Sequence, residues 1–162
     1  MARSQLINLI GLLGLFLSVA LLLVPSTSAA STTVRYCDKK AQYAVKVSGV
    51  DITPYPITRN KKTTFKIAAS TDATISGGEL VIDVSYFGFN VRTEKHNLCN
   101  ETSCPVTAGD FEIAHSQVLP GYTPPGSYTL KLKLSDANKQ LLTCINFDFS
   151  IGFVATEDVA DT

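Results

Sequence analysis

The chain has no tryptophan, no Cys-x-x-Cys, no Gly-x-Ser-x-Gly and no block of basic residues, and beyond its N-terminal leader it has no stretch with helical periodicity. Each absence closes a class. Without tryptophan the Cys…Trp…Cys arrangement of antibody domains is missing, so an ordinary immunoglobulin domain is excluded. A structural zinc site is not expected either, because neither His96 nor His115 has a partner at ligand spacing. The hydrolase elbow that exposes a nucleophilic serine is absent. Charge is balanced, with 14 Lys plus Arg against 14 Asp plus Glu, and leaves no electrostatic footprint for nucleic acid.

What is present starts with export. Arg3 gives a positive start, Leu6 to Val24 is almost unbroken apolar sequence, and Ser28-Ala29-Ala30 offers small residues for cleavage. The pattern predicts a signal peptide over residues 1–30, one folded domain over 31–154 and a small acidic tail over 155–162. The apolar run approaches the ~20 residues that span a bilayer, but Pro25 and the small residues after it favour cleavage over an uncleaved anchor. The expected address is the secretory pathway, ending outside the cell (apoplast) or in a vacuole or endomembrane lumen. No Lys-Asp-Glu-Leu-type retention tail is present.

Four cysteines, Cys37, Cys99, Cys104 and Cys144, all lie after the leader. In an oxidising compartment an even count reads as a disulfide framework. Of three possible pairings, the short gap favours Cys99 with Cys104, which leaves Cys37 to meet Cys144 and tie the first strand to the last. Asn100-Glu101-Thr102, inside the short loop, is the chain's single glycosylation sequon.

The hydrophobic period is two. Tyr128, Leu130, Leu132 and Leu134 alternate with Thr129, Lys131, Lys133 and Ser135, which puts large apolar side chains on one face of a strand. Leu80, Ile82, Val84 and Tyr86 form a second such face, and Phe65, Ile67 and Ala69 a third. Ile145, Phe147, Phe149 and Ile151 form a fourth, and Tyr43, Val45 and Val47 a fifth. Turn signals separate them at Gly49, Pro54 with Pro56, Gly77-Gly78, Gly109-Asp110, Pro120-Gly121 and Pro124-Pro125-Gly126. This predicts an all-β protein, an immunoglobulin-like antiparallel β-sandwich of about seven strands in two sheets.

Taken in order, Tyr36-Cys37, Leu98-Cys99…Cys104-Pro105-Val106, Pro124-Pro125-Gly126-Ser127-Tyr128 and Leu142-Thr143-Cys144-Ile145-Asn146-Phe147 resemble the ML (MD-2-related lipid-recognition) domain family. That family includes the Niemann-Pick type C2 sterol carrier and phosphatidylglycerol/phosphatidylinositol transfer proteins. Gly77-Gly78-Glu79-Leu80 and Gly109-Asp110-Phe111 are most similar to plant members. The resemblance covers about Val34 to Phe153. It departs in cysteine number, since the sterol carrier has six and this chain has four.

The resemblance implies two sheets that part to leave an apolar cavity for one sterol or phospholipid. It implies a monomeric carrier that touches membranes transiently and is not an enzyme, with no cofactor and no metal. On that reading Phe87, Phe89, Val106, Phe111, Ile113 and Tyr128 are lining or rim residues, the mouth being near the Cys99–Cys104 loop. Leu80, Ile82, Leu130, Leu132, Phe147 and Phe149 are deeper contacts. Lys61-Lys62 and Lys131 with Lys133 are candidate head-group or membrane contacts. A membrane-protein acceptor is a further partner, or a receptor to which the lipid would be presented in defence or signalling. His115 falls on the Phe111, Ile113 face as an interior or rim histidine, and titration near about pH 6 would make release pH-dependent.

Overall fold

The computed structural model describes residues 28–152. The expected leader, apart from Ser28 to Ala30, and the acidic tail lie outside the described residues. Nine strands and one short helix follow in the order β1 (Ala30–Thr32), β2 (Arg35–Tyr36), β3 (Val45–Thr53), β4 (Lys62–Thr71), β5 (Gly78–Tyr86), β6 (Phe89–Asn97), α1 (Leu98–Glu101), β7 (Gly109–Val118), β8 (Gly126–Asp136) and β9 (Leu141–Ile151). Every strand pairing is antiparallel. Sheet one has the order β1-β3-β4-β7 and sheet two the order β2-β9-β8-β5-β6.

The period-two faces meet between the sheets. Val50, Ile52, Phe65, Ile67 and Ile113 from sheet one and Leu80, Leu132, Ile145 and Phe147 from sheet two are all buried. Outward positions are mostly polar, and Lys133 bonds Asp83 at 3.0 Å across β8 and β5. Three departures from expectation have local causes. The strands β1 and β2, three and two residues long, are too short to display a period. Gly49 is not a turn: the register of β3 on β4 shifts between Val47 and Gly49, a bulge that moves the buried face from Val45 to Val50 and Ile52. Tyr43 precedes β3 and stacks on Tyr36 at 5.4 Å. The third is β6, FNVRTEKHN, mostly exposed at the edge of sheet two; a solvated edge strand carries no apolar alternation to read.

Two disulfides, Cys37–Cys144 and Cys99–Cys104, involve all four cysteines. The first joins the residue after β2 to β9, and Cys37 N–H also donates to the Cys144 carbonyl at 2.9 Å. On that side of the sandwich the sheets are stitched together, since Val47 N–H of sheet one donates to the Tyr36 hydroxyl of sheet two at 2.8 Å. On the other side the edge strands β6 and β7 belong to different sheets, and only side chains connect them.

Candidate functional site

Between the sheets, at the end where β5 turns into β6 and β7 leads into β8, lies a cavity of about 340 Å³. Such a volume falls at the low end of the roughly 300–1,000 Å³ of small-molecule sites. The lining includes Phe65, Ile82, Val84, Tyr86, Val91, Leu119, Tyr122, Tyr128, Leu130, Phe149 and Ile151, with Arg92, Glu94, His115, Gln117 and Thr123 among its polar members.

An aromatic column runs along the wall. Phe87 packs edge-on against Tyr86 (4.4 Å between centroids), Tyr86 stacks on Tyr128 (4.7 Å), Tyr128 on Phe149 (5.4 Å), and Phe149 meets Phe65 edge-on (5.8 Å). The register produces it, because Tyr86 faces Tyr128 and Tyr128 faces Phe149 directly across the ladder. Both phenols are satisfied locally: Tyr86 donates to the Pro125 carbonyl at 2.9 Å and Tyr128 to the Pro124 carbonyl at 2.7 Å. Burial first, and then the neighbouring Tyr86, push the Tyr128 phenol above its ordinary pKa. Gly126, at φ 132°, is required here, since a Cβ would lie 3.1 Å from the Tyr86 ring.

The lip is unusual. Tyr86 pairs with Phe89, so Phe87-Gly88 is a two-residue hairpin loop, with φ of 49° and 81°. Asn or Asp is the usual first residue of such a turn, and a bulky side chain in the left-handed region is disfavoured. Phe87, Phe89 and Tyr122 are nevertheless 79 %, 76 % and 86 % exposed.

Of the residues expected to contact a ligand, Ile82, Tyr128, Leu130 and Phe149 border the cavity, and Phe87 and Phe89 stand at its lip. The others lie elsewhere. Leu80, Leu132, Ile113 and Phe147 are closed core. Val106 is buried at the opposite end, bridged to Ile75, and half-buried Phe111 faces Ala69 there. Against the expectation of a mouth beside the Cys99–Cys104 loop, the cavity lies at the opposite end of the sandwich. Periodicity selects the inward face of a strand but does not say where along it the sheets part. Phe65, Tyr86 and Ile151 carried the alternating signal; the loop residues Leu119 to Pro124 and the polar strand β6 carried none. Asn100 is exposed in α1.

The expected lysines divide. Exposed Lys61 and Lys62 begin β4 at the cavity end, where Lys62 faces Val118. Lys131 and Lys133 sit on the outer face of sheet two, away from the lip.

The polar members of the wall reach the histidines. His96 on β6 and His115 on β7 lie with ring centroids 4.6 Å apart, a meeting their sequence spacing did not predict. Burial alone would raise the Glu94 carboxyl, but hydrogen bonds from His96 and Arg92 and the nearby charges of Arg92 and His115 outweigh it and hold it below the ordinary glutamate value. Ser116 turns to the opposite face, sharing a 2.9 Å hydrogen bond with Thr64, so His115 and Ser116 do not form a nucleophile–base pair.

A two-sheet sandwich that parts at one end over an aromatic-lined cavity defines a class of small-molecule-binding β-sandwich proteins. Within it, this chain belongs to the ML domain family, whose model matches residues 31–151. It is 31 % identical, over 69 % of its length and 80 % of the relative's, to a Dictyostelium discoideum protein named for phosphatidylglycerol/phosphatidylinositol transfer. It is 30 % identical, over 68 % of its length and 72 % of the relative's, to the MD-2-related lipid-recognition protein ROSY1 of Arabidopsis thaliana. Among solved structures it is similar to a Niemann-Pick type C2 protein from Japanese carpenter ant, with a TM-score of 0.59 and 15 % identity over 74 % of this chain and 99 % of that one.

Proposed function

We propose that this protein binds one lipid monomer, a phospholipid of the phosphatidylglycerol/phosphatidylinositol type or a sterol, in the cavity at the Tyr86–Tyr128 end, and transfers it between membranes. The observation that carries the reading is that cavity, about 340 Å³ with a mostly apolar wall. Moving apolar chain from water into such a space gains about 0.8 kcal/mol per methylene, so ~10 buried methylenes supply ~8 kcal/mol before ordering costs. The names of the relatives support phospholipid as cargo.

Transfer also requires contact with a bilayer, and the lip is suited to it. Exposed Phe87, Phe89, Val91 and Tyr122 stand at the same end as Lys61 and Lys62. Aromatic rings favour the membrane interface, and each lysine near an anionic surface adds about 1 kcal/mol. The strained backbone of Phe87 fits selection for an exposed ring instead of for turn stability. Two disulfides fit an oxidising compartment, so the exchange takes place in the secretory lumen or outside the cell.

The test is transfer of fluorescent phosphatidylinositol, phosphatidylglycerol or sterol from donor to acceptor vesicles. Substoichiometric protein should accelerate at least one of them. A folded protein that accelerates none would contradict the reading.

A further inference from the structure

We propose that Glu94, His96 and His115 form a binding site for a divalent cation of the zinc class, with Glu101 orienting both imidazoles. The site does not depend on what occupies the apolar cavity, although Glu94 and His115 border it.

The three residues come from the facing edges of the two sheets, β6 and β7, and their ligand atoms lie within 4.8 Å of one another. Glu94 Oε2 is 3.2 Å from His96 Nε2 and 3.9 Å from His115 Nε2. Tetrahedral zinc with bonds of about 2.0–2.1 Å holds its ligand atoms roughly 3.4 Å apart. The two glutamate–imidazole distances are within about 0.5 Å of that spacing, and closing the remaining pair, which lies within 4.8 Å, requires the two imidazoles to turn toward each other.

The supporting contacts are the stronger argument. Metal-bound histidines characteristically donate their other ring N–H to a carboxylate, which fixes tautomer and ring orientation. Here both Nδ1 atoms face one carboxylate: His96 Nδ1 is 3.4 Å from Glu101 Oε1, and His115 Nδ1 is 3.3 Å from Glu101 Oε2. A neutral imidazole has one N–H, and a carboxylate oxygen only accepts. His115 Nδ1 already has hydrogen-bond geometry to Glu101; on binding a cation His96 would exchange its present Nε2 hydrogen bond to Glu94 for one from Nδ1 to Glu101, so that both Nε2 lone pairs and Glu94 Oε2 face the ion. Glu94 is held in turn, its Oε1 accepting from Gln117 Nε2 at 3.1 Å and from Arg92 Nε.

The site is well shielded. The side chains of His115, Glu101 and Glu94 are 6 %, 11 % and 13 % exposed, and that of His96 is 28 %. Two histidines and one carboxylate leave a fourth position for water or an oxygen ligand. Glu94 and His115 also border the cavity. A bound cation would cross-link the sheet edges that only side chains connect.

The test is titration of the chelator-treated, lipid-free protein with Zn²⁺, and with Co²⁺ as a spectroscopic stand-in. The expected result is one ion per chain, with visible Co²⁺ bands of low-coordinate nitrogen and oxygen ligation. His96→Gln should abolish measurable uptake, and Glu101→Gln should weaken it about 10–100-fold. Because the chain has only two histidines, NMR of the unmodified protein gives a readout that needs no variant: Zn²⁺ should shift the ring resonances of both together. Failure of the folded protein to take up Zn²⁺ in excess, uptake unchanged by His96→Gln, or uptake that leaves either imidazole unshifted would each overturn the site.

Discussion

The two ends of the sandwich are built from the same strands and finish differently. At the disulfide end, Leu80, Leu134 and Leu98 are fully buried. There α1 and the Ile75–Val106 bridge, whose backbones exchange two 2.9 Å hydrogen bonds, fill the space between the sheets. At the other end Ile82, Leu130 and Phe149, on the same strand faces, border open volume. The loop there, Leu119 to Pro125, is tied to its own backbone through Thr123 and Pro120 and accepts the Tyr86 and Tyr128 hydroxyls instead of descending between the sheets. Alternation makes a wall; the loops at each end decide whether the wall closes on a core or on a cavity.

The largest expected effect tests the frame shared by both ends. The Cys37–Cys144 bridge spans 107 residues and Cys99–Cys104 spans 5, so chain-entropy estimates give about 4.8 and about 2 kcal/mol respectively. Replacing Cys37 and Cys144 by alanine should lower denaturant stability by more than twice as much as replacing the short bridge.

Truncation and filling then separate the ends directly. Leu134→Ala, in the closed end, should cost about 2–5 kcal/mol. Leu119→Ala, beside the cavity, should cost less, because a side chain bordering a void has packing partners on fewer sides. Enlarging the side chain should give the same order: Leu134→Trp should overpack and cost about 1–3 kcal/mol, whereas Leu130→Trp should be accommodated by the cavity. Urea unfolding of the four variants checks both orders.

A smaller effect concerns the lip. Phe87→Asn places a residue suited to the left-handed turn and should raise stability by ~1 kcal/mol, while slowing lipid transfer between vesicles. Stability and transfer moving in the same direction would remove the argument that Phe87 is there for contact.

The smallest concerns the outer face of sheet two. Hydrogen bonds from Thr129 and Arg35 hold the Asp148 carboxyl below its ordinary value. Burial would raise Asp83, but Thr93, Lys133 and Asn90 outweigh it and lower it. A depressed carboxyl contributes stability that is present above the ordinary aspartate value of about 3.9 and lost as pH falls through the folded value. Unfolding monitored from about pH 5 to about pH 3 should show this loss, and Asp148→Asn should flatten it.

Much of this was legible in the chain. Four of the five alternating runs, read as Tyr128–Leu134, Leu80–Tyr86, Phe65–Ala69 and Ile145–Ile151, fall on β8, β5, β4 and β9, the fifth only partly entering β3 at Val45, and a close cysteine pair leaves little choice of partner. The cavity's position was not legible, because Leu80 and Ile82 have the same local pattern and differ only in what the loops place above them. The Glu94–His96–His115–Glu101 group was invisible for another reason. It draws on a solvated edge strand without periodicity, a four-residue helix and a second edge strand, which meet only once the two sheets stack.

The proposed function requires that one lipid occupy the Tyr86–Tyr128 end. Native mass spectrometry of the protein secreted by a eukaryotic host, compared with Leu130→Trp, tests it most directly. The parent protein should yield one extractable lipid per chain and the filled variant little or none, both remaining folded. A parent protein without lipid that also takes up none on incubation, or lipid retained equally by the filled variant, would contradict it.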